Sequence, residues 1–382
     1  MNKNFREAYM DDLICHEVAF EDGETAVVSL NNPVARYSQN PILTPADVNK
    51  IWTRPEHQVV TVHNAGIIEC ENQVLMLFRS HLRCGMSVLG IARSKNGLGN
   101  WQIQEQPALR PADQNDLFSS HVSRQDLIAN ESGGVEDPRI MHLDNTFAIT
   151  YSAYSASEKN RVRVSLITSE NFREFVRHGP MLDRDMRNVV IFPEKINGSY
   201  IGLFRPNDVR EGDVGGIFTQ IRIGYTDDWK NGTWQIEQDP VMRTGTGPSA
   251  FSDKIGPGAP PIKTPKGWLN IFHGVRTTMD GNPYVLGVAL HDLHDPSQVR
   301  VSDIPILFPS ASDCRVPSHS YIHVPNVVFS CGCIRKDDGT ILIYYGGNDT
   351  VMNVGITHES VLTALCEKYG RHPLTNRRLY KI

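Results

Sequence analysis

The chain has 382 residues, of which 40% are hydrophobic and 21% charged, and its formal net charge is −5. This composition is typical of a globular protein that buries a large core. It gives no electrostatic case for binding nucleic acid or an anionic membrane, because no long block of Lys and Arg occurs. No apolar stretch approaches the ~20 residues of a membrane-spanning helix, and the glycine-rich loops of nucleotide-binding proteins are absent from the sequence.

The cysteines and the N-terminal segment predict a cytoplasmic protein. The segment contains no apolar run of the kind that a secretory signal peptide needs. The seven cysteines show no regular spacing, so we expect no disulfide framework. A metal site could be assembled from Cys331, Cys333, Cys314, His319 and His323. Because zinc sites usually have a wider cysteine spacing, a pair of small buried strand residues is the preferred interpretation of Cys331 and Cys333.

The first element predicted along the chain is a short helix at residues 45–51. Thr44 suits its N-cap and Pro45 its first turn. This helix belongs to an extension, residues 1–60, that precedes the first repeat. We expect the extension to pack on the outside of the repeats or at a subunit interface. A second short helix is expected near the C-terminus, at residues 358–366, and none between the two.

Between these helices, five segments share one pattern. Each has apolar strands with an aromatic residue near one strand end, a turn with Gly or Asn, and a following strand rich in small and β-branched residues. The aromatic positions are Phe78, Tyr151, Phe204, Phe272 and Tyr344. Units of this kind cannot bury their faces alone, so they should close radially. The pattern predicts an all-β fold, a five-bladed β-propeller with short helical N- and C-terminal extensions, in a single domain spanning 1–382. A β-sandwich or β-solenoid remains the alternative.

The most informative motif is GGVEDPRI at residues 133–140. The residue before Pro138 is driven out of the helical region, so the Asp137 side chain can be aimed rigidly from the start of a strand. In a propeller the innermost strands converge on a central channel, where Asp137 and Glu136 would face a pocket. A structural turn in which Arg139 pairs with Glu136 explains the same residues equally well.

Cations occur in apolar or rigid surroundings further along the chain. Lys254 enters a segment rich in Gly and Pro at residues 254–263, and His273 follows the aromatic end of a strand. Rigid backbone beside a cation suits an anion such as phosphate, although a loop with a solvated Lys254 is the simpler interpretation. Arg163 and Arg187 lie within apolar strands, where an unpaired charge is costly and an oxyanion would supply a partner.

Several motifs occur in the order found in the mannoside phosphorylases of glycoside hydrolase family 130, which the chain resembles from about residue 40 onward. They are NPILTP at 40–45, NAG at 64–66, VEDPR at 135–139, the segment 254–261, GW at 267–268, HGV at 273–275 and YGGND at 345–349. The long N-terminal region and the two glycines before EDPR are most similar to the subgroup that acts on 4-O-β-D-mannosyl-D-glucose.

This resemblance implies inverting phosphorolysis of a β-1,4-mannoside by inorganic phosphate, giving α-D-mannose 1-phosphate and glucose without a metal or organic cofactor. Asp137 is then the catalytic acid and protonates the leaving oxygen through the 3-hydroxyl of the bound mannose. The residues assigned to phosphate are Arg163, Arg187, Lys254 and His273, with Arg205 competing with Arg187. Those assigned to the mannose subsite are Asn64, Arg79, Tyr284 and Asp349.

The proposed acid must keep its proton near neutrality, although the ordinary pKa of an Asp is about 3.9. Burial, Glu136 and bound phosphate would each raise the pKa of Asp137. Arg139 would lower it if the two side chains faced one another. We therefore expect Arg139 to point away, into a structural pair.

Other hypotheses share these residues. They include phosphorolysis of β-mannooligosaccharides or β-mannosyl-N-acetylglucosamine, hydrolysis of β-mannosides, and sugar binding without catalysis. A hydrolase would lack the cations at Arg163, Lys254 and His273, which are all present. The acceptor sugar depends on loops such as 205–216 and 311–323, which the sequence does not position. The expected partners are a mannosyl disaccharide, phosphate and further copies of the chain.

Overall fold

The computed structural model describes residues 14–158, 161–207, 220–279 and 281–380, and β-strands are its main regular element. The predictions made for the first thirteen residues and for most of the loop 205–216 therefore lie outside the described residues. The chain begins with a hairpin of β1 (Cys15–Ala19) and β2 (Thr25–Ser29), followed by the short β3 (Ala35–Arg36). No helix within the described ranges is long and apolar enough to cross a membrane.

The next strands form two antiparallel groups. The first contains β4 (His63–Cys70), β5 (Gln73–His81), β6 (Ser87–Ser94) and β7 (Gln102–Ile103). After β8 (Leu117–Phe118), the second contains β9 (Gly134–Leu143), β10 (Thr146–Tyr154), β11 (Val162–Ser169) and β12 (Val176–Pro180). A single parallel pair, Ser87 with Gly134, links the two groups into one sheet, and β8 extends that sheet beside β12.

Three further antiparallel groups follow. The third contains β13 (Met186–Ile191), β14 (Tyr200–Pro206), β15 (Ile221–Thr226) and β16 (Gln235–Met242). The fourth contains β17 (Lys254–Pro257), β18 (Ile262–Thr264), β19 (Gly267–Val275), β20 (Tyr284–His291) and β21 (Val299–Ser302). The fifth contains β22 (Val328–Arg335), β23 (Thr340–Gly347) and β24 (Val351–His358), and β3 from the N-terminal segment pairs with β24 as its outer strand. The last strand, β25 (Gly370–Arg371), pairs with β21.

Two of the helices lie where they were predicted. Helix α1 (Pro45–Ile51) has Thr44 as N-cap, in a capping box with Asp47. A helix that the sequence did not predict, α2 (Arg124–Glu131), lies between β8 and β9, so the expectation that helices are confined to the two ends is wrong. It buries two polar residues and one leucine, which leaves no apolar periodicity to detect. Helix α3 (Glu359–Lys368) confirms the helix predicted near the C-terminus.

Separate hydrophobic clusters fill the spaces between neighbouring groups. One joins the first group to the second, one the second to the third, one the third to the fourth and one the fourth to the fifth. Another joins the fifth group to the first, where Leu342 and Val354 share a cluster with Val74 and Phe78. The first strands also contact one another, β4 with β9 and β22, β9 with β13, and β13 with β17. The starts of these strands therefore meet in one region.

Candidate active site

The starts of β4, β9 and β13 share one backbone feature. Each strand carries one extra residue relative to its partner strand, and each has a left-handed residue there: Asn64, Asp137 and Asn188. Their φ angles are 47°, 49° and 58°. Asn and Asp adopt this region more readily than other residues with a Cβ atom. The bulges re-aim the three side chains where the strand starts converge.

Asp137 lies at the centre of this region and is 5% exposed. Its Oδ1 accepts hydrogen bonds from Asn64 Nδ2 at 3.0 Å and from Arg79 Nη1 at 2.9 Å. The other guanidinium nitrogen, Arg79 Nη2, lies 2.9 Å from Oε1 of Glu136. Arg187 Nη1 contacts Oε2 of Glu136 at 3.2 Å. The structure therefore brings Asn64, Arg79 and Arg187 to the two carboxylates of the EDPR motif.

Arg139 is buried and bonds mainly to oxygen atoms of the backbone. Its Nε donates to Gly258 O at 3.1 Å and its Nη1 to Asp137 O at 2.7 Å. Its Nη2 donates to Asn188 Oδ1 at 2.9 Å. The guanidinium thus bonds to the peptide of Asp137 rather than to its carboxylate, and the alternative pair between Arg139 and Glu136 does not form.

The expectation of a protonated Asp137 includes the charge of bound phosphate and stays a prediction, whereas in the structure without ligand the pKa of Asp137 is lowered. Burial raises its pKa, but the charges of Arg79 and Arg139 and the hydrogen bond from Asn64 lower it by more. Its pKa therefore lies below the ordinary value. The family resemblance predicts Arg79 at the sugar only, because its contact with Asp137 depends on how the first and second groups pack together.

A cluster of cations lies on another side of the same region. Arg187 and Arg205 are direct partners across β13 and β14, and Lys254 Nζ donates to Tyr284 Oη at 3.1 Å. His273 is 1% exposed and lies with its ring centroid 4.5 Å from that of Phe329. In the part of the chain that the structure describes, Nε and Nη1 of Arg205 and both ring nitrogens of His273 are buried without a hydrogen-bond partner.

The electrostatics of this cluster favour an anion. Burial, then Arg187, lowers the pKa of Arg205 to about 9. Burial, then Arg205 and Arg187, lowers the pKa of Lys254 to about 7. Burial, then Arg205 and Lys254, also lowers the pKa of His273. Arginine and lysine side chains that repel one another, with buried donors left unpaired among the described residues, favour an oxyanion as partner.

Arg163, which the sequence assigned to phosphate, is not brought into this cluster. Its Nη2 lies 2.8 Å from Asp183 Oδ1, so it already has a carboxylate partner. Arg205, the competing candidate, lies beside Arg187 instead of replacing it. In the sequence, Arg205 and Arg163 look alike, since each is a cation near the end of an apolar strand. Only the pairing of the strands shows which of the two lies in the cation cluster.

The remaining predicted residue, Asp349, follows β23 in left-handed backbone with a φ of 47°. Burial raises its pKa to about 7, with Asp137 and Glu136 adding to the increase and Arg79 and Asn64 opposing it. The charge of Asp349 also acts on Lys254 and Tyr284. Asp349 therefore lies between the carboxylates of β9 and the cation cluster.

Sequence reasoning missed a group of histidines beside Arg79. His81 Nε2 lies 2.8 Å from Arg79 Nη2, and the ring of His323 lies 4.6 Å from that of His81. His63 is fully buried next to both. The three residues come from β4, β5 and the loop before β22, and no sequence spacing connects them. Within the described ranges, no group of three or more His, Cys, Asp and Glu side chains is arranged to hold a metal ion.

Comparisons with known proteins identify a family and several relatives. The profile of the family Glyco_hydro_130, described as β-1,4-mannooligosaccharide phosphorylase, matches residues 33–368. A 1,2-β-oligomannan phosphorylase from Thermoanaerobacter sp. (strain X514) is 35% identical over 330 residues, which are 84% of this chain and 96% of that protein. A 4-O-β-D-mannosyl-D-glucose phosphorylase from Bacteroides fragilis is 27% identical over 91% of this chain and 86% of its own length.

A solved structure is similar over nearly its whole length. It is the β-1,2-mannobiose phosphorylase from Listeria innocua in complex with β-1,2-mannobiose, with a TM-score of 0.70 and 26% identity. The likeness covers 87% of this chain and 99% of that one.

Proposed function

The chain belongs to glycoside hydrolase family 130, and from this membership and the geometry of its site we propose that it cleaves a β-mannosidic bond with inversion, releasing α-D-mannose 1-phosphate. It is a glycoside phosphorylase, an enzyme that transfers a hexosyl group to phosphate. The observation that carries the proposal is that the buried Asp137 shares one site with the buried Arg205, whose Nε and Nη1 have no hydrogen-bond partner among the described residues, and with the buried ring of His273.

The proposed chemistry needs only one acid. An inverting glycosidase uses a second carboxylate to activate water. Phosphate is already a nucleophile, so cations that bind and orient it replace that base. We assign phosphate to Arg187, Arg205, Lys254 and His273. We place Arg163 outside the site because its Nη2 pairs with Asp183, while its Nε, like that of Arg205, is buried without a partner among the described residues.

Asp137 is the proposed acid, acting through the 3-hydroxyl of the bound mannose, without a metal or organic cofactor. Asn64, Arg79, Tyr284 and Asp349 are the proposed mannose-binding residues. Asn64 and Arg79 contact Asp137, and Tyr284 contacts Lys254, which supports one continuous site.

The proposed substrate is 4-O-β-D-mannosyl-D-glucose, on the motifs shared with the subgroup that acts on it. The β-1,2-mannosides are a second candidate, because the relatives that are 35% and 31% identical are phosphorylases of β-1,2-linked mannosides. Acceptor choice is set by loops at the mouth of the site. One of them is held next to Asp349, since Val324 N donates to Asn348 O at 3.2 Å and His323 N to Thr350 Oγ1 at 3.0 Å.

We also propose that the five strand groups are the blades of a closed propeller in a single domain. Besides the clusters between neighbouring groups, a cavity of about 520 Å³ supports this arrangement. It is lined by residues near the C-terminal ends of β4, β9 and β22, and by Pro193 and Pro260, which follow β13 and β17. Two further parts of the proposal are assembly into a homo-oligomer and a cytoplasmic location, the latter supported by seven free cysteines.

The test supplies α-mannose 1-phosphate together with glucose, mannose or N-acetylglucosamine, and identifies the disaccharide and the phosphate released. The proposal predicts a β-mannosyl product with at least one acceptor. In Asp137→Asn, kcat is expected to fall about 10²–10⁴-fold, as for loss of a general acid. The matched control is Asp337→Asn, an exposed aspartate in the turn between β22 and β23, with activity unchanged. Release of phosphate without a new glycoside, or full activity in Asp137→Asn, would contradict the proposal.

A further inference from the structure

The carboxyl groups at the centre of the site share few cations. Arg79 contacts both Glu136 and Asp137, and Arg187 is a second cation that contacts Glu136. Asp349 has no ion pair with any residue that the structure describes, and its Oδ1 is buried without a hydrogen-bond partner. The residue as a whole is partly exposed, but a carboxylate oxygen that is buried without a cation is costly, so the neutral acid is the favoured form of such a group.

The groups that face Asp349 come from several strands. They are Arg79 on β5, Glu136 and Asp137 on β9, Lys254 on β17, Tyr284 on β20 and Cys331 on β22. Two of these groups, Glu136 and Asp137, are carboxylates that already form ion pairs with Arg79. The nearby Lys254 has its pKa lowered to about 7 by burial and by the arginines, so it supplies only part of a charge at neutral pH.

These surroundings shift the pKa values of Asp137 and Asp349 in opposite directions. Burial raises the pKa of Asp349 to about 7, and the negative charge of Asp137 adds to the increase. The pKa of Asp137 is lowered by Arg79, Arg139 and Asn64 in spite of burial. Two carboxyl groups that share a site with one proton behave in this way, and they titrate as a pair.

We propose that Asp349 carries the proton of the resting site and passes it to Asp137 when phosphate and the mannoside bind. The position of the proton in the resting enzyme follows from the contacts above, whereas the use of this proton in catalysis rests on the proposed function. Bound phosphate adds negative charge, which keeps one proton on the pair of carboxyl groups. Asn64, which donates to Asp137 and also faces Asp349, lies beside both groups.

The proton balance closes over one turnover. A phosphate oxygen of HPO₄²⁻ bonds to C1 of the mannosyl group while the bond from C1 to the leaving oxygen breaks, its electron pair staying on that oxygen. The leaving oxygen takes the proton of the carboxyl pair, relayed through the 3-hydroxyl. The mannose 1-phosphate formed is a monoanion with one proton on its phosphate. That proton returns to the carboxyl pair, and the dianion leaves.

Infrared spectroscopy of the ligand-free protein tests where the proton lies. A pH series should show the C=O stretch of a protonated carboxylic acid in the wild type, lost as the pH rises through about 7. Asp349→Asn should lack this titrating band. Asp137→Asn should keep it with a midpoint at lower pH, because a neighbouring negative charge is gone. Glu131, a buried carboxyl with a raised pKa outside the site, contributes equally to all three spectra.

A band that persists in Asp349→Asn, or that disappears in Asp137→Asn, would place the proton on Asp137 and overturn the proposal. If Asp349→Asn does not fold, Asp137→Asn decides alone. These spectra need no substrate, so their outcome is independent of whether the enzyme makes mannose 1-phosphate.

Kinetics test the use of this proton. In the wild type, kcat/KM for phosphorolysis should fall as the pH rises above about 7, where Asp349 and Lys254 each lose a proton. Lys254→Arg keeps a positive charge and removes the lysine titration, so the alkaline limb of this variant should remain. When Asp349→Asn is added to Lys254→Arg, the limb should be absent or displaced, with kcat at pH 6 reduced more than tenfold. An alkaline limb with the same midpoint with and without Asp349→Asn would show that the proton used in catalysis is not held there.

Discussion

Single residues determine the chemistry of this site through backbone position and burial. The left-handed residues at the starts of β4, β9 and β13 re-aim a carboxylate and two amides where those strands converge. Such backbone is tolerated by Asn and Asp and is enriched at functional sites. An unpaired cation in the same pocket then selects an anion as its partner.

Arg205 is expected to bind phosphate and Arg163 is not. Replacing Arg205 by Met removes at least one charge-assisted hydrogen bond, so KM for phosphate should rise by about 10–100-fold. The matched control is Arg163→Met, which removes an arginine from a strand of the second group and leaves KM for phosphate within about threefold. Initial rates against phosphate concentration measure both. Equal effects of the two substitutions would return Arg163 to the phosphate site.

Asp349 is expected to lower the stability of the fold at alkaline pH. Its pKa is raised from 3.8 in the unfolded chain to about 7 in the folded protein, so the folded state binds more protons between these values. Stability therefore falls as the pH rises through this window. Above pH 7, Asp349→Asn should be more stable than the wild type by about 1–3 kcal/mol, with a smaller difference at pH 5. Urea unfolding at the two pH values measures this, and a difference independent of pH would contradict it.

The residues of the site could be predicted from the sequence only where a motif fixed them. Asp137 stands out because an aspartate before Pro138 follows another carboxylate. Arg205 and Arg163 could not be separated, since both follow the same rule and the pairing of β13 with β14 decides between them. The lowered pKa of Asp137 depends on Arg79, which lies on a strand of another group.

At the scale of elements, β17 positions the cation cluster. A Cβ atom on Gly256 would lie 2.5 Å from Cε1 of His273 and 2.8 Å from Cδ of Arg205. The absence of a side chain at this position lets both cations pack against the strand. The segment rich in Gly and Pro at residues 254–263 therefore contributes to the site by letting side chains pack closely against its backbone.

Gly256→Ala should displace His273 and Arg205 without removing a charged group. Small displacements of a positioned group can cost about 10²-fold in rate, so a fall of this order in kcat/KM for phosphate is expected. Steady-state kinetics measure it, with Gly198→Ala as a control in an open turn where a Cβ atom meets nothing within 4 Å. Gly198 has a φ of 90°, so its variant carries backbone strain but no contact with the site. An unchanged kcat/KM for phosphate in Gly256→Ala would argue against this role.

Strand β3 joins the N-terminal segment to the fifth group through an ion pair as well as through backbone pairing. Arg36 Nε lies 2.7 Å from Oδ1 of Asp313, and Asp313 is fully buried. Removing one partner of a buried pair leaves an uncompensated charge. Arg36→Ala should therefore lower the free energy of unfolding by about 3 kcal/mol.

The control for that substitution is Lys50→Ala, which removes an exposed pair with Asp47 and should cost less than about 1 kcal/mol. Urea denaturation measures both variants. Equal effects would mean that the pair on β3 contributes no more than a surface pair.

At the scale of the whole molecule, the repeats could be predicted because each group repeats the same apolar and aromatic pattern. Helix α2 could not, because its buried face consists largely of Asn130 and Glu131. The pairing of β3 with β24 was also invisible, since two residues carry no periodic signal and their partners lie more than 300 positions away. Long-range pairing of this kind decides how the N-terminal extension attaches.

The central claim is that phosphate, not water, receives the mannosyl group. Phosphorus and proton NMR should follow the wild type with 4-O-β-D-mannosyl-D-glucose and with β-1,2-mannobiose, in the presence and absence of phosphate. We expect α-mannose 1-phosphate to form from at least one of these two disaccharides, and only when phosphate is present. Free mannose released at the same rate without phosphate would contradict it.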